Sequence, residues 1–233
     1  MANMAAQPGR HTDVVPPFRK RTFTAAAMTR DVGTLLRRGR SLVTVWTPTG
    51  VDPLLREQVM FAVAMVNDCK FCAFMHDDAA ITSGADRDGL ARLVGLDPAD
   101  ATDDVLIAVV WAQSRAANGL GRADEALERR MENRYSPQRI RDLDTVVRVM
   151  TLLNVSGNTA EALIRRMRGH SVPGSRVVDE LIVGGTYLVG AVVSALSLAL
   201  RRRVSPKKMW HEFDRFDGRA LTAQGSVNGR VGS

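Results

Sequence analysis

Cysteine is nearly absent from this 233-residue chain, which has two, Cys69 and Cys72. A disulfide-stapled secreted domain carries more of them, widely spaced, so that class is excluded. Aromatic residues are also scarce, at 5%. The core must therefore be built from Ala, Leu and Val, which together with abundant Arg suits packed helices. The first residues, MANMAAQPGRHTDVVPPF, contain no apolar run. No secretory signal is expected, and a reducing cytoplasm is the expected compartment. There is no glycine-rich phosphate loop and no flavin or nicotinamide fingerprint, so no cofactor is expected.

Acidic residues are few at the two ends. Residues 1–40 hold eight Arg or Lys against Asp13 and Asp31, and residues 201–233 hold eight against three acids. The middle, 41–200, carries sixteen basic and twenty acidic residues, so the net charge of +7 belongs to the termini. Basic ends can hold nucleic acid or anionic lipid. No recognition motif accompanies them here, so nucleic acid is not the expected partner. Solvated or oligomer-facing arms are the plainer reading.

The apolar and charged fractions, 45% and 24%, are those of an ordinary folded protein. Residues 1–22, with Pro8, Pro16, Pro17 and Arg19-Lys20-Arg21, read as a disordered or draped arm. Residues 23–200 read as one all-α domain, and 201–233 as a basic tail. Thr24–Arg38 is predicted helical, and Leu42–Trp46 is a short β-prone run. Asp52-Pro53 predicts a cap and first residue for a helix to Met65. Asn67 or Asp68 is predicted to cap the next helix, from Cys69 to Ser83, closed by Gly84. A short helix follows Asp86, and Thr102-Asp103-Asp104 opens one that ends before Gly119. An amphipathic segment spans Arg122–Asn133. Ser136-Pro137 starts a helix to Val155, and Asn158 starts another to Arg168. Ser175 starts the last, to Leu200.

Leu181–Leu200 is uncharged over twenty residues and is followed by Arg201-Arg202-Arg203. It is long enough to cross a bilayer. Its Gly, Ser and Thr content also suits a tightly packed helix at the centre of an oligomer, and the buried helix is the expectation; a membrane segment is the alternative.

The chemistry concentrates in the stretch from Arg56 to His76. With a cap at Asn67 or Asp68, Cys69 lies in the first turn, where free N–H groups and the helix dipole favour a thiolate. Cys72 is at i+3 from Cys69, within reach of a disulfide with some adjustment. His76 is one turn beyond Cys72 on the same face and can exchange a proton with it. If the two helices form an antiparallel hairpin, Glu57 folds back beside His76 and orients the ring.

The pattern Glu57–x11–Cys69–x2–Cys72–x3–His76, with Asn67 before and Gly84 after, resembles the active-site signature of the alkylhydroperoxidase D-like / carboxymuconolactone decarboxylase superfamily. The resemblance implies an all-α fold, assembly as a trimer or hexamer, and reduction of hydroperoxides by the dithiol. It further implies Cys72 as the peroxidatic thiol, Cys69 as its resolving partner, His76 as proton shuttle and Glu57 as part of the relay. A peroxide would be the substrate, and a dithiol or thioredoxin-like protein the electron donor. One departure stands between the cysteines, where Phe71 replaces the second His of the best-known sites of this kind. The decarboxylase branch lacks the cysteine pair, which argues against lactone decarboxylation. The match covers about 30 residues and leaves 1–45 and 170–233 unexplained.

Two other readings stay open. Cys69, Cys72 and His76, with His170 or His211, could bind zinc, although one continuous helix is not the usual zinc-knuckle arrangement. The chain could also be a non-enzymatic helical protein, membrane-associated or basic-surfaced, that keeps the pair as a redox sensor.

Overall fold

The computed structural model describes residues 17–47, 49–94 and 103–217. Among them are helices and no strand. Their starts follow from short polar side chains that accept a hydrogen bond from an otherwise unpaired N–H of the first turn. Thr24 does this for α1 (Ala25–Leu36), Asp52 for α3 (Pro53–Val66), Asp103 for α6 (Asp104–Ala117), Asp124 for α7 (Glu125–Arg134) and Ser136 for α8 (Pro137–Met167). Between these lie α2 (Gly39–Thr44), α4 (Lys70–Thr82) and α5 (Arg87–Val94). The predicted cap contribution of Thr102 lies outside the described residues.

The core is organised around α3, which packs against α4, α6 and α8. Val59, Phe61, Ala62, Val63 and Ala64 of α3 are fully buried, so this helix is apolar nearly all round. Trp111 of α6 joins them, its indole N–H donating to Glu128 Oε2 at 3.1 Å. Burial of each large side chain contributes about 1.5–3 kcal/mol.

Several boundaries differ from the sequence-based expectation. Leu42–Trp46 forms no strand; it is the end of α2 and the turn after it, with Val45 N–H bonded to Ser41 O and the Val45 side chain fully buried. With no partner strand at hand, the β-branched residues satisfy their backbone locally. The two helices predicted over 136–168 are one 31-residue helix, α8. Gly157 lies within it, where a Cβ would come 2.9 Å from Cys69 Sγ and from the Tyr187 ring.

The C-terminal portion runs through α9 (Val177–Asp179), a π-helical turn (Glu180–Gly184), α10 (Gly185–Arg202) and α11 (Pro206–Arg215). The Glu180 carboxylate is fully buried and accepts two hydrogen bonds from Arg166 of α8, at 2.6 and 2.9 Å. That pairing holds the Glu180 carboxyl below the usual range, outweighing the cost of its burial. Gly184 lies against α8 so closely that a Cβ would come within 2.9 Å of Ala160 Cα.

Val177–Arg202 is long and apolar enough to cross a membrane by length and composition. One face packs on α8, while Leu181, Ile182, Val189, Val192, Val193, Leu196 and Leu200 are exposed in the single chain. The expected basic tail also contains a helix: Ser205 caps α11, which folds back so that Phe213 and Phe216 meet Phe74 of α4. Residues 218–233 lie outside the described residues, as do 1–16 of the expected arm. Residues 17–22 lie along α8 and the α3–α4 turn, with Lys20 paired to Glu161 at 2.7 Å and Arg21 donating to Asn67 Oδ1 at 2.7 Å.

Candidate dithiol site

The turn between α3 and α4 sets the geometry. Asn67 ends α3, Asp68 takes the left-handed conformation with φ of 54°, and Cys69 itself is the N-cap of α4. This corrects the expected cap at Asn67 or Asp68. Asp is among the few residues that enter the left-handed region readily, so the chain reverses in two residues. Cys69 therefore sits at the mouth of the helix and Cys72 in its first turn. Free N–H groups and the dipole at a helix N-terminus favour the thiolate of a reduced cysteine in the first turn.

The two cysteines are joined as a disulfide, with their Cα atoms 5.3 Å apart. Each is only 4% exposed. Cys69 lines a cleft of about 1210 Å³ bounded by Phe18, Lys20, Met65, Lys70 and Phe216.

The antiparallel α3–α4 hairpin brings Glu57 to His76, with Glu57 Oε2 to His76 Nδ1 at 2.8 Å. The other carboxylate oxygen accepts from Arg56 Nε at 3.1 Å, and Arg56 is held in turn by Val45 O and the Trp46 ring. Burial pushes the Glu57 carboxyl up, but His76 and Arg56 outweigh it, and the group lies below its ordinary range. A carboxylate on Nδ1 fixes the tautomer with its proton there and frees Nε2 to act as a base. No hydrogen bond joins His76 to either sulfur among the described residues; the ring lies one helical turn beyond Cys72. The four expected residues thus form two close pairs on one hairpin.

A fifth side chain completes the group. The Tyr187 hydroxyl of α10 is 3.1 Å from Cys72 Sγ and 3.9 Å from Cys69 Sγ. Burial pushes its pKa well up, so the phenol stays protonated. Sequence reasoning passed over it. The signal was there: it is one of two tyrosines in the chain, set in an uncharged run, and a buried tyrosine hydroxyl needs a partner. Phe71, in place of a histidine, packs edge-on against Tyr187 and Phe213, tying the site to α10 and α11. Lys70 donates to Asp214 O at 2.9 Å, which binds α4 to the end of α11.

The zinc arrangement is not assembled. Among the described residues no group of three His, Cys, Asp or Glu side chains is placed to hold a metal ion. His170 lies in the turn after α8 and His211 on α11.

An all-α fold with a cysteine pair at a helix N-terminus, backed by a Glu–His pair from the same hairpin, defines a class of helical dithiol proteins. Residues 31–128 match the model of the carboxymuconolactone decarboxylase family, which is of the alkylhydroperoxidase D-like superfamily. All of Glu57, Cys69, Cys72 and His76 lie in the matched segment; Tyr187 lies beyond it. No curated protein and no solved structure matches the chain.

Proposed function

We propose that the protein is a thiol-dependent oxidoreductase of the cytoplasm that reduces hydroperoxides by cycling Cys69 and Cys72 between dithiol and disulfide. The observation that carries this reading is the bonded cysteine pair at the mouth of α4, with the Glu57–His76 pair one turn along the same helix. Cys72, as thiolate, attacks the O–O bond of the peroxide. The O–O bond breaks, one oxygen stays on sulfur as the sulfenic acid, and the alkoxide or hydroxide leaves and takes a proton. Cys69 then displaces that oxygen as water and closes the disulfide. His76, oriented by Glu57, takes the Cys72 proton before attack and returns one to the leaving oxygen. Two electrons per cycle come from an external dithiol or thioredoxin-like donor.

Thiol counting tests the reading. One equivalent of hydroperoxide should remove both thiols of the reduced protein, and Cys69→Ser should leave a trappable sulfenic acid on Cys72. His76→Ala should slow oxidation near neutral pH by about 100-fold. Oxidation of the reduced wild type no faster than that of a free thiol would overturn it.

Self-association belongs to the same proposal. The exposed apolar face of α10, with Gly190 and Ser194 among its Val and Leu residues, suits close contact with a second copy of the chain. Replacing Val189 and Val193 together by Glu should convert the oligomer to monomer by light scattering. A wild-type protein that is monomeric, or that sediments with membranes, would reject this part and favour the membrane-associated alternative.

A further inference from the structure

The family-matched segment ends at residue 128, yet one of the groups nearest the sulfurs comes from α10. Its placement rests on three separate features. The Arg166–Glu180 pair pins the π-helical turn to α8, and a π turn shifts the rotational phase of every residue after it. Gly184 lets α10 descend onto the α8 backbone at Ala160. Gly157 then leaves the space the phenol occupies, since a Cβ there would stand 2.9 Å from both the Tyr187 hydroxyl and Cys69 Sγ. The ring is held from the side by Phe71.

We propose that Tyr187 is a catalytic residue of the dithiol site, its hydroxyl holding Cys72 as the leaving thiolate when an external dithiol attacks Cys69. The inference rests on the dithiol–disulfide reading above and adds a direction to it. A disulfide can be opened at either sulfur, and the outcome follows access and leaving-group stability. Access favours Cys69, the member of the pair that lines the cleft. Leaving-group stability selects Cys72, because the hydroxyl lies at 3.1 Å from its Sγ against 3.9 Å from that of Cys69. A hydroxyl donating to an anionic acceptor makes one of the stronger hydrogen bonds in a protein.

A donor thiolate attacks Cys69 Sγ, the Cys69–Cys72 bond breaks, and its electron pair departs on Cys72 Sγ. Tyr187 donates a hydrogen bond to that sulfur and keeps its proton, as its raised pKa requires. The second donor thiolate closes the donor disulfide and releases Cys69 as a thiolate, which solvent protonates. The donor loses two electrons and the cysteine pair gains them. The titratable groups around the pair are Tyr187 from α10, His76 on α4 and Glu57 on α3; α8 presents Gly157, and the Lys70 ammonium is held by Asp214 O.

Tyr187→Phe removes the hydroxyl and keeps the ring. In the reduced Cys69→Ser background, where Cys72 is the one thiol, the pH profile of alkylation should move up by about one unit when Tyr187→Phe is added, tenfold in thiolate fraction. The full-length Tyr187→Phe disulfide should react with dithiothreitol about tenfold more slowly at fixed pH. Coincident profiles, or equal reduction rates, would overturn the proposal. A further measurement needs no variant. The oxidised wild type, treated with glutathione and then alkylated, should carry the adduct on Cys69 and the alkyl group on Cys72. The reverse assignment would overturn it, even if Tyr187→Phe failed to fold. None of these readouts uses a peroxide, so failure of wild-type peroxide oxidation rejects the proposed activity and leaves the role of Tyr187 to be decided by its own results.

Discussion

Helices α3 and α10 are built from nearly the same residues, Val, Ala and Leu or Met, yet they occupy opposite environments. On α3 the Phe61 side chain is 0% exposed; on α10 Val192 is 57% exposed. Composition does not decide this; neighbours do. Helix α3 is enclosed by α4, α6 and α8, whereas α10 meets α8, α4 and α11 with one face and leaves the other exposed. The enclosed helix supports the Glu57–His76 half of the site. The half-covered one supplies Tyr187 from its inner face and leaves an apolar stripe outside. A chemically similar helix can therefore serve as scaffold in one place, and in another carry a site residue on one face and an interaction surface on the other.

Substitutions of similar kind should separate the two regions. Phe61→Ala removes a fully buried aromatic and should lower the unfolding free energy by about 3–5 kcal/mol. Val192→Ala in a dissociated protein should change it by about 0.5 kcal/mol or less. Equal effects, measured by urea denaturation, would mean that α10 is covered in the isolated chain and that the contrast is false. Gly184→Ala comes next in size. Its Cβ would press on α8 backbone, which cannot swing aside as a side-chain tip can, so the cost should be about 1–3 kcal/mol. Hydrogen exchange should then rise along α10 while α3 stays protected. A uniform rise along both helices would show that the C-terminal portion and the α3–α4 hairpin unfold as one unit.

The hairpin was legible in the sequence because its information is local. Glu57, Cys69, Cys72 and His76 fall within 20 residues, and helical spacing plus one tight turn places them. The cap was misread because a left-handed Asp68 moves the helix start to Cys69, which a list of favoured capping residues does not include. Tyr187 was not legible in the same way: it lies 115 residues from Cys72, and its approach depends on a π turn and two close-packed glycines. The gap expected between Val155 and Asn158 is closed in α8, and Gly157 within it serves contacts with Tyr187 and Cys69 that lie far away in sequence. The start of α11 had a plain signature in Ser205-Pro206, hidden behind the reading of a basic tail.

Acid carries the comparison to a finer scale, because each region holds one buried carboxylate whose pKa is lowered. For Glu180 the hydrogen bonds from Arg166 are the largest influence and exceed the opposing burial. For Glu57 burial is the largest single influence, and it is overcome only by His76 and Arg56 acting together. A carboxyl with a lower pKa in the folded state binds fewer protons there than in the unfolded chain. Its contribution to stability is therefore complete above the ordinary value of 4.5 and is lost as pH falls through the folded pKa. Between about pH 5 and about pH 3 the wild type should lose stability more steeply than either Glu→Gln variant. The difference should be clear for Glu180→Gln and smallest for Glu57→Gln. Urea midpoints taken across that range decide the order. A larger effect at Glu57 would mean that the His76 and Arg56 contacts outweigh burial by a wide margin, and that the hairpin, not the C-terminal portion, sets the acid limit of the fold.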